Sequence, residues 1–425
     1  MSSSSRDAER RLHDAVDRLE PKYRALLQSL VRVPSPIGSE GQAQDEVGRA
    51  MRDIGLATEA FDIDPAALSG LHGFNPTPQS YDGRPCVVGV LRGTGGGRSL
   101  ALNAHIDTAP VDPLGAWTHG DPYSGHISGT LLYGRGAWDD KAGVIEALMV
   151  AEAVRASGIE LRGDLVIKSV IEDEATGNGT LACLARGYRT DAAVIVDGTW
   201  PERFIVSHLG QLWFRVRLDG RSAPASVAGR GANPLAAVGP VLDAFTQLVE
   251  RRNGSAEPWG ADRQPWFVNI GAASGGAWPG AVPAACELRG QCGFPPPETP
   301  ATAKAALAAA LDACADDSRW PTDVRASIAF EGLETGVVKG DAGNAIVRLV
   351  ADTVMRLHGR AIQESIISGH CDLRHYYGAA AGAIPACLYG PGGGKNAHAE
   401  DEYFDLSHLP LVARNLASIV LEWCH

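Results

Sequence analysis

The chain has 425 residues, 45% of them hydrophobic and 21% charged, with 50 Gly, 26 Pro and a formal net charge of −12. That length predicts two or three domains of roughly 100–200 residues each, and the acidic balance, with no Lys/Arg run, excludes a general nucleic-acid surface. No apolar segment is long enough to span a bilayer, the N-terminal Met1-Ser2-Ser3-Ser4-Ser5-Arg6 lacks the apolar core of a secretion signal, and the cysteines, scattered from Cys86 to Cys424, read as reduced thiols, so the expected location is cytoplasmic.

Apolar residues at helical spacing (Leu12, Val16, Leu19, then Leu26, Leu27, Leu30, Val31) predict two helices over 6–32, broken at Pro21. A third helix, over 40–54, stops at Gly55. Residues 86–91 read as a strand. The Gly-rich stretch 92–97 leads into another strand, 99–103, where a phosphate cradle would need a helix, so it reads as a hairpin turn. That second strand delivers Ala104-His105-Ile106-Asp107, and alternation puts His105 and Asp107 on one side of the extended chain. Asp139 and Asp140 stand at the start of a helix running to about Ser157, where the helix dipole favours acids and capping alone would explain either one.

Residues 165–171 read as a buried strand that ends in Glu172-Asp173-Glu174. Acids crowded there repel one another unless a cation neutralises them; a solvated acidic turn is the alternative reading. The next buried strand, 192–196, ends in Asp197. Open α/β sheets bind ligands at the C-terminal ends of their strands. Three strand ends therefore bring in His105, Glu174 and Asp197, and a fourth connection brings in Asp139.

From about Gly210 the pattern changes. Residues 212–218 alternate as a half-exposed strand, and a helix (234–251), two strands (266–270, 284–293), a second helix (302–314) and a last strand (324–330) complete a β-α-β-β-α-β unit, the split βαβ arrangement. The expected organisation is an α/β domain over 1–208 and 332–425 interrupted by this α+β insertion at 209–331. The tail carries a helix (344–358), Ser368-Gly369-His370-Cys371-Asp372-Leu373-Arg374, a strand (384–389), His398 in a loop, and a closing helix (409–423). His370 and His375 read as structural.

Together these residues fit a two-metal site. His105 and His398 would give one imidazole to each ion, Asp139 would bridge, and Glu174 and Asp197 would complete the two shells. Mixed imidazole and carboxylate donors suit zinc, with cobalt or manganese also compatible.

The segments Ala104-His105-Ile106-Asp107, Gly134-Arg135-Gly136-Ala137-Trp138-Asp139-Asp140-Lys141 and Glu172-Asp173-Glu174, with Asp197, the insertion and His398, resemble the dinuclear zinc peptidases of the acetylornithine deacetylase, succinyl-diaminopimelate desuccinylase and carboxypeptidase G2 family. The likeness spans nearly the whole chain. It implies a zinc-exopeptidase-like catalytic domain, with a mixed sheet flanked by helices, and a ferredoxin-like lid through which the chain forms a homodimer. It also implies two divalent ions and hydrolysis of an amide bond in an N-acyl amino acid or small peptide-like substrate bearing a carboxylate. It makes Asp107 the partner of His105, Asp173 the general base, and Asn269, Asp372 and Arg374 candidates for the substrate carboxylate; for Arg374 a surface or lid ion pair is the alternative.

Two positions depart from the family. Asp173 stands where the family has Glu, which withdraws the carboxylate by roughly 1.5 Å, and Glu172 points the other way along the chain. Pro224 stands where the family's lid has a histidine, and no His occurs from Leu209 to Glu331. Proline can neither donate a hydrogen bond nor titrate. These departures leave open a non-hydrolytic metal enzyme on the same scaffold (an amide-forming cyclase, an isomerase or an eliminating enzyme), and a metal-bearing binding protein with little turnover.

Overall fold

The computed structural model describes residues 3–113, 115–257, 259, 264–378 and 383–425. Helix α1, Ser3–Val31, runs straight through Pro21, so the two helices expected from the sequence are one. A proline inside a helix costs about 3 kcal/mol. Leu12, Val16, Tyr23, Leu27 and Leu30 are buried along the same helix, each at about 1.5–3 kcal/mol, and together they outweigh that cost. Helix α2, Gly41–Ile54, ends where Gly55 adopts a left-handed φ of 82°.

The first sheet begins with β1 (Ala57–Phe61), β2 (Cys86–Leu91) and β3 (Leu100–His105). Helix α3 (Lys141–Ala156), β4 (Leu165–Val170), α4 (Asn178–Ala185), β5 (Ala192–Ile195) and β6 (Arg203–His208) follow. The chain then builds a second sheet from β7 (Gly210–Asp219), β8 (Phe267–Gly275), β9 (Ala285–Phe294) and β10 (Arg325–Thr335), with helices α5 (Val238–Asn253) and α6 (Pro300–Asp312). It returns to the first sheet with β11 (Val338–Lys339), α7 (Ala345–His358), β12 (Gln363–Ile367), β13 (Ala386–Leu388) and α8 (His408–Cys424).

Among the described residues the first sheet has nine strands in the order β1-β2-β4-β3-β5-β13-β6-β11, with β12 also paired to β6. Strands β4, β3, β5 and β13 run parallel, and β2 runs antiparallel to β4. Every residue of β3, β4 and β5 is buried, as parallel strands covered on both faces require.

The hairpin expected between β2 and β3 does not form, because β4 lies between them. Their connection instead crosses the end of β4, with Thr94 and Gly95 donating to the carbonyls of Leu161 and Arg162. Here glycine is needed for close approach: a Cβ on Gly97 would stand 2.5 Å from the Gly163 nitrogen.

The second sheet is antiparallel, in the order β8-β9-β7-β10. It has its own core, in which Leu212, Phe214, Val216 and Leu218 of β7 meet Phe245 of α5 and Leu307 of α6. The alternate residues Trp213, Arg215 and Arg217 face away from that core, the period of a sheet covered on one face.

Candidate metal centre

Five chain segments converge at the C-terminal ends of the parallel strands. β3 ends in His105, the connection after β4 carries Glu172-Asp173-Glu174, and Asp197 follows β5. Asp139 stands just before α3, whose N-cap is Asp140. His398 comes from a loop between Gly394–Lys395 and Tyr403–Asp405, which pair with each other at the edge of a small separate sheet. His398 itself has a φ of 61°, a left-handed conformation uncommon outside glycine and found more often at functional sites.

Asp139 lies between the two imidazoles. Its Oδ1 is 3.0 Å from His105 Nε2, and its Oδ2 is 3.2 Å from His398 Nε2. Glu174 Oε2 is 2.9 Å from His398 Nε2, while Oε1 accepts from the Ala109 N–H. Asp197 Oδ1 and Asp173 Oδ2 each stand 3.9 Å from His105 Nε2. The expected ligands His105, Asp139, Glu174, Asp197 and His398 are thus brought together, with Asp173 beside them.

Two groups of donor atoms lie close enough to share an ion: Asp139, Glu174 and His398, and His105, Asp140 and Asp197. Asp140 is nevertheless engaged elsewhere. Its Oδ2 accepts from the His105 N–H at 3.1 Å and its Oδ1 from the Gly143 N–H at 3.2 Å, so it caps α3 and ties that helix to β3.

The electrostatics are those of crowded acids and imidazoles. Burial, followed by the charge of Asp139, pushes Asp197 up to about 7. Burial, then Asp372, raises Asp173 well above the usual carboxylate range. Burial disfavours the imidazolium of His105, but Asp107 and Asp139 outweigh it and its pKa is raised. Hard oxygen and borderline nitrogen donors in this mixture fit divalent cations, which relieve carboxylate repulsion of this kind.

Asp107 is fully buried behind this cluster. Its carboxylate accepts from the Asp173 N–H at 3.3 Å and the Glu174 N–H at 3.0 Å. Its Oδ1 lies 3.6 Å from His105 Nδ1, and its main-chain oxygen is 2.9 Å from the same nitrogen. One residue therefore orients the imidazole and holds the backbone of the acidic triplet.

Glu172 turns away, as expected, with a left-handed φ of 72°, but it has a structural part. Arg84 donates to both oxygens of Glu40 at 2.6 and 2.7 Å and to Glu172 Oε1 at 2.5 Å, and Thr176 donates to Glu172 Oε2 at 2.7 Å. Glu402 is a second anchor that the sequence reading missed. Fully buried, it accepts from Arg135 at 2.8 Å and from the backbone N–H groups of Trp138 and Asp139 at 3.1 and 3.2 Å. Its position four residues after His398 was the only available signal, and no spacing rule separates it from Glu400.

The candidate substrate residues are more dispersed. Asp372 is buried and accepts from Asn103 and Thr180. Arg374, also buried, donates to the Thr176 carbonyl and meets His375 Nε2 at 3.1 Å, leaving Nη1 without a partner among the described residues. Asn269 is exposed on β8, opposite Gln291 of β9. Pro224 is exposed on a two-residue strand opposite Ala281. A cleft of about 390 Å³ lies between the two sheets, lined by Arg374, Phe74 and Asn75 on one side and by Trp213, Glu331 and Glu334 on the other.

Comparison with known proteins agrees with this architecture. An N-formyl-4-amino-5-aminomethyl-2-methylpyrimidine deformylase from Halalkalibacterium halodurans is 26% identical over 437 residues, covering 96% of each chain. A succinyl-diaminopimelate desuccinylase from Cereibacter sphaeroides is 31% identical over 233 residues, covering 53% of this chain and 55% of that one. The solved structure of the di-peptidase Dug1p from Saccharomyces cerevisiae shares the fold at a TM-score of 0.79, with 14% identity and 98% of both chains covered. Residues 101–422 match peptidase family M20/M25/M40. The chain belongs to that family, whose members are metal-dependent hydrolases acting on amide bonds.

Proposed function

We propose that the protein is a two-metal amidohydrolase that cleaves the amide bond of an N-acyl amino acid or a small peptide-like substrate. The observation that carries this reading is the placement of Asp139, with one carboxylate oxygen toward His105 and the other toward His398. His105 and Asp197 would hold one divalent ion, Glu174 and His398 the other, and Asp139 both. Zinc is the expected ion, with cobalt and manganese compatible with the same donors. Such ions supply Lewis acidity, which polarises a carbonyl and lowers the pKa of water.

Asp173 is the general base. Its carboxylate stands 3.9 Å from His105 Nε2, beside the proposed ligands, and a positioned carboxylate of this kind contributes about 10²–10⁴-fold. It takes a proton from the attacking water and delivers it to the leaving nitrogen. Asp107 fixes the backbone from which Asp173 acts. Arg374 lines the cleft, and its buried Nη1, without a partner among the described residues, is the donor assigned here to a substrate carboxylate. The second sheet serves as lid and as the surface of a homodimer, and the site of action is the cytoplasm.

The deformylase and desuccinylase relatives define the acyl groups to try first. Zinc-loaded protein is offered an N-formyl aminomethylpyrimidine, N-succinyl-diaminopimelate, a set of N-acyl amino acids and dipeptides, and free amine is measured. Release from at least one of them, lost by about 10²–10⁴-fold in Asp173→Asn, is the expected result. Equal turnover by wild type and Asp173→Asn would remove Asp173 from the mechanism.

A further inference from the structure

The main chain of Asp173 is held on both sides of its Cα. Asp107 takes its N–H. On the carbonyl side stands His370, with Nε2 2.8 Å from Asp173 O. Burial, followed by the charge of Arg374, keeps this ring neutral, so its one N–H goes to the Asp173 carbonyl, and Nδ1 packs 3.1 Å from Gln211 Oε1 without a second N–H to donate. That same oxygen accepts from Gln291 Nε2 at 2.5 Å, and Gln211 donates its own amide hydrogen to Ser368 O at 2.7 Å. Gln211 is fully buried. It opens β7, and Gln291 lies in β9, so both belong to the second sheet. Gln291, Gln211 and His370 thus pack in a row from the second sheet to the main chain of the acid beside the candidate metal centre.

We infer that His370 and Gln211 are positioning residues through which the second sheet sets the backbone of Asp173, coupling lid placement to base placement. The short side chain makes this setting matter. Aspartate has one fewer rotatable bond than glutamate, so the backbone fixes where its carboxylate lies. A misplacement of about 1 Å can cost on the order of 10²-fold in rate. The inference rests on the reading of Asp173 as the base.

The test uses the zinc-loaded full-length protein as wild type, Gln291→Ala, His370→Ala, His370→Gln and Asp173→Asn. Hydrogen exchange of the peptide covering residues 170–178 is followed by mass spectrometry. Gln291→Ala and His370→Ala are expected to speed it about three- to tenfold. His370→Gln, which keeps an amide N–H near the place of Nε2, stays close to wild type. On the amide that wild type turns over best, His370→Ala lowers kcat about ten- to hundredfold with KM and zinc content unchanged, and His370→Gln restores most of the loss. Unchanged exchange in both alanine variants overturns the coupling, and Gln291→Ala alone decides it if His370→Ala does not fold. If Asp173→Asn abolishes turnover while His370→Ala leaves it intact, the base reading stands and the positioning role falls. If Asp173→Asn costs nothing, the base reading falls and takes the catalytic part of this inference with it.

Discussion

The acidic triplet divides its work among three side chains that point in different directions. Glu174 faces His398, Asp173 faces the same pocket on the Nε2 side of His105, and Glu172 is buried against Arg84 and Thr176. The direction of Glu172 was expected, though strand alternation does not set it, since the strand ends at Val170 and Glu172 has a φ of 72°. Its partner was not, because Arg84 lies 88 residues earlier in the chain, and no local pattern reports a pairing at that distance. Arg84, Glu40 and Glu172 are almost wholly removed from solvent, so deleting the cation strands two buried carboxylates. Arg84→Met is expected to destabilise the protein by about 3–5 kcal/mol, measured as a lower urea midpoint. An unchanged midpoint would show that the triad does not hold the triplet in place.

At the scale of elements, α3 shows what sequence patterns report and what they leave out. Its start was legible: two acids before an apolar helix predict a cap, and Asp140 provides it. The close packing behind it was not, since a Cβ on Gly143 would stand 1.8 Å from the Val196 carbonyl oxygen. Nor was the fate of Glu146, which is fully buried, with neither carboxyl oxygen partnered among the described residues. Burial raises its pKa well above the usual value. The folded state therefore keeps the proton, while the unfolded chain loses it above about pH 4.5. Between those two pKa values folding takes up a proton, so this group's contribution worsens as pH rises. Glu146→Leu is expected to stabilise the protein at pH 8 by about 1–3 kcal/mol, with the gain shrinking toward pH 4. Thermal melts at the two pH values check this, and an equal gain at both would refute the linkage.

For the molecule as a whole, the alternation in β7 and the β-α-β-β-α-β order of the insertion were readable because each element shows its own period. The order of the first sheet was not, since β4 inserts between β2 and β3 only through a long-range crossover that no turn signal records. The placement of Asn269 on an exposed strand was equally invisible, because register depends on partners elsewhere in the chain. Among the described residues the second sheet leaves one side of β8 unpaired and exposes Trp278 (70%) and Leu242 (41%), the kind of edge and apolar surface that a partner covers. Wild type is therefore expected to show twice the 44.7 kDa chain mass by light scattering, and Trp278→Asp with Leu242→Glu to shift it toward the single-chain mass. A wild-type mass of one chain would rule out the homodimer.

All three scales meet at Asp139, whose cap-side neighbour, anchoring Glu402 and flanking imidazoles place one carboxylate between the two proposed metal positions. The most direct measurement is the metal content of protein dialysed against zinc, determined by elemental analysis for wild type and Asp139→Asn. The two-metal account predicts about two zinc ions per wild-type chain and fewer than about one in the variant. One ion or none in wild type, or an equal content in the two proteins, would contradict it.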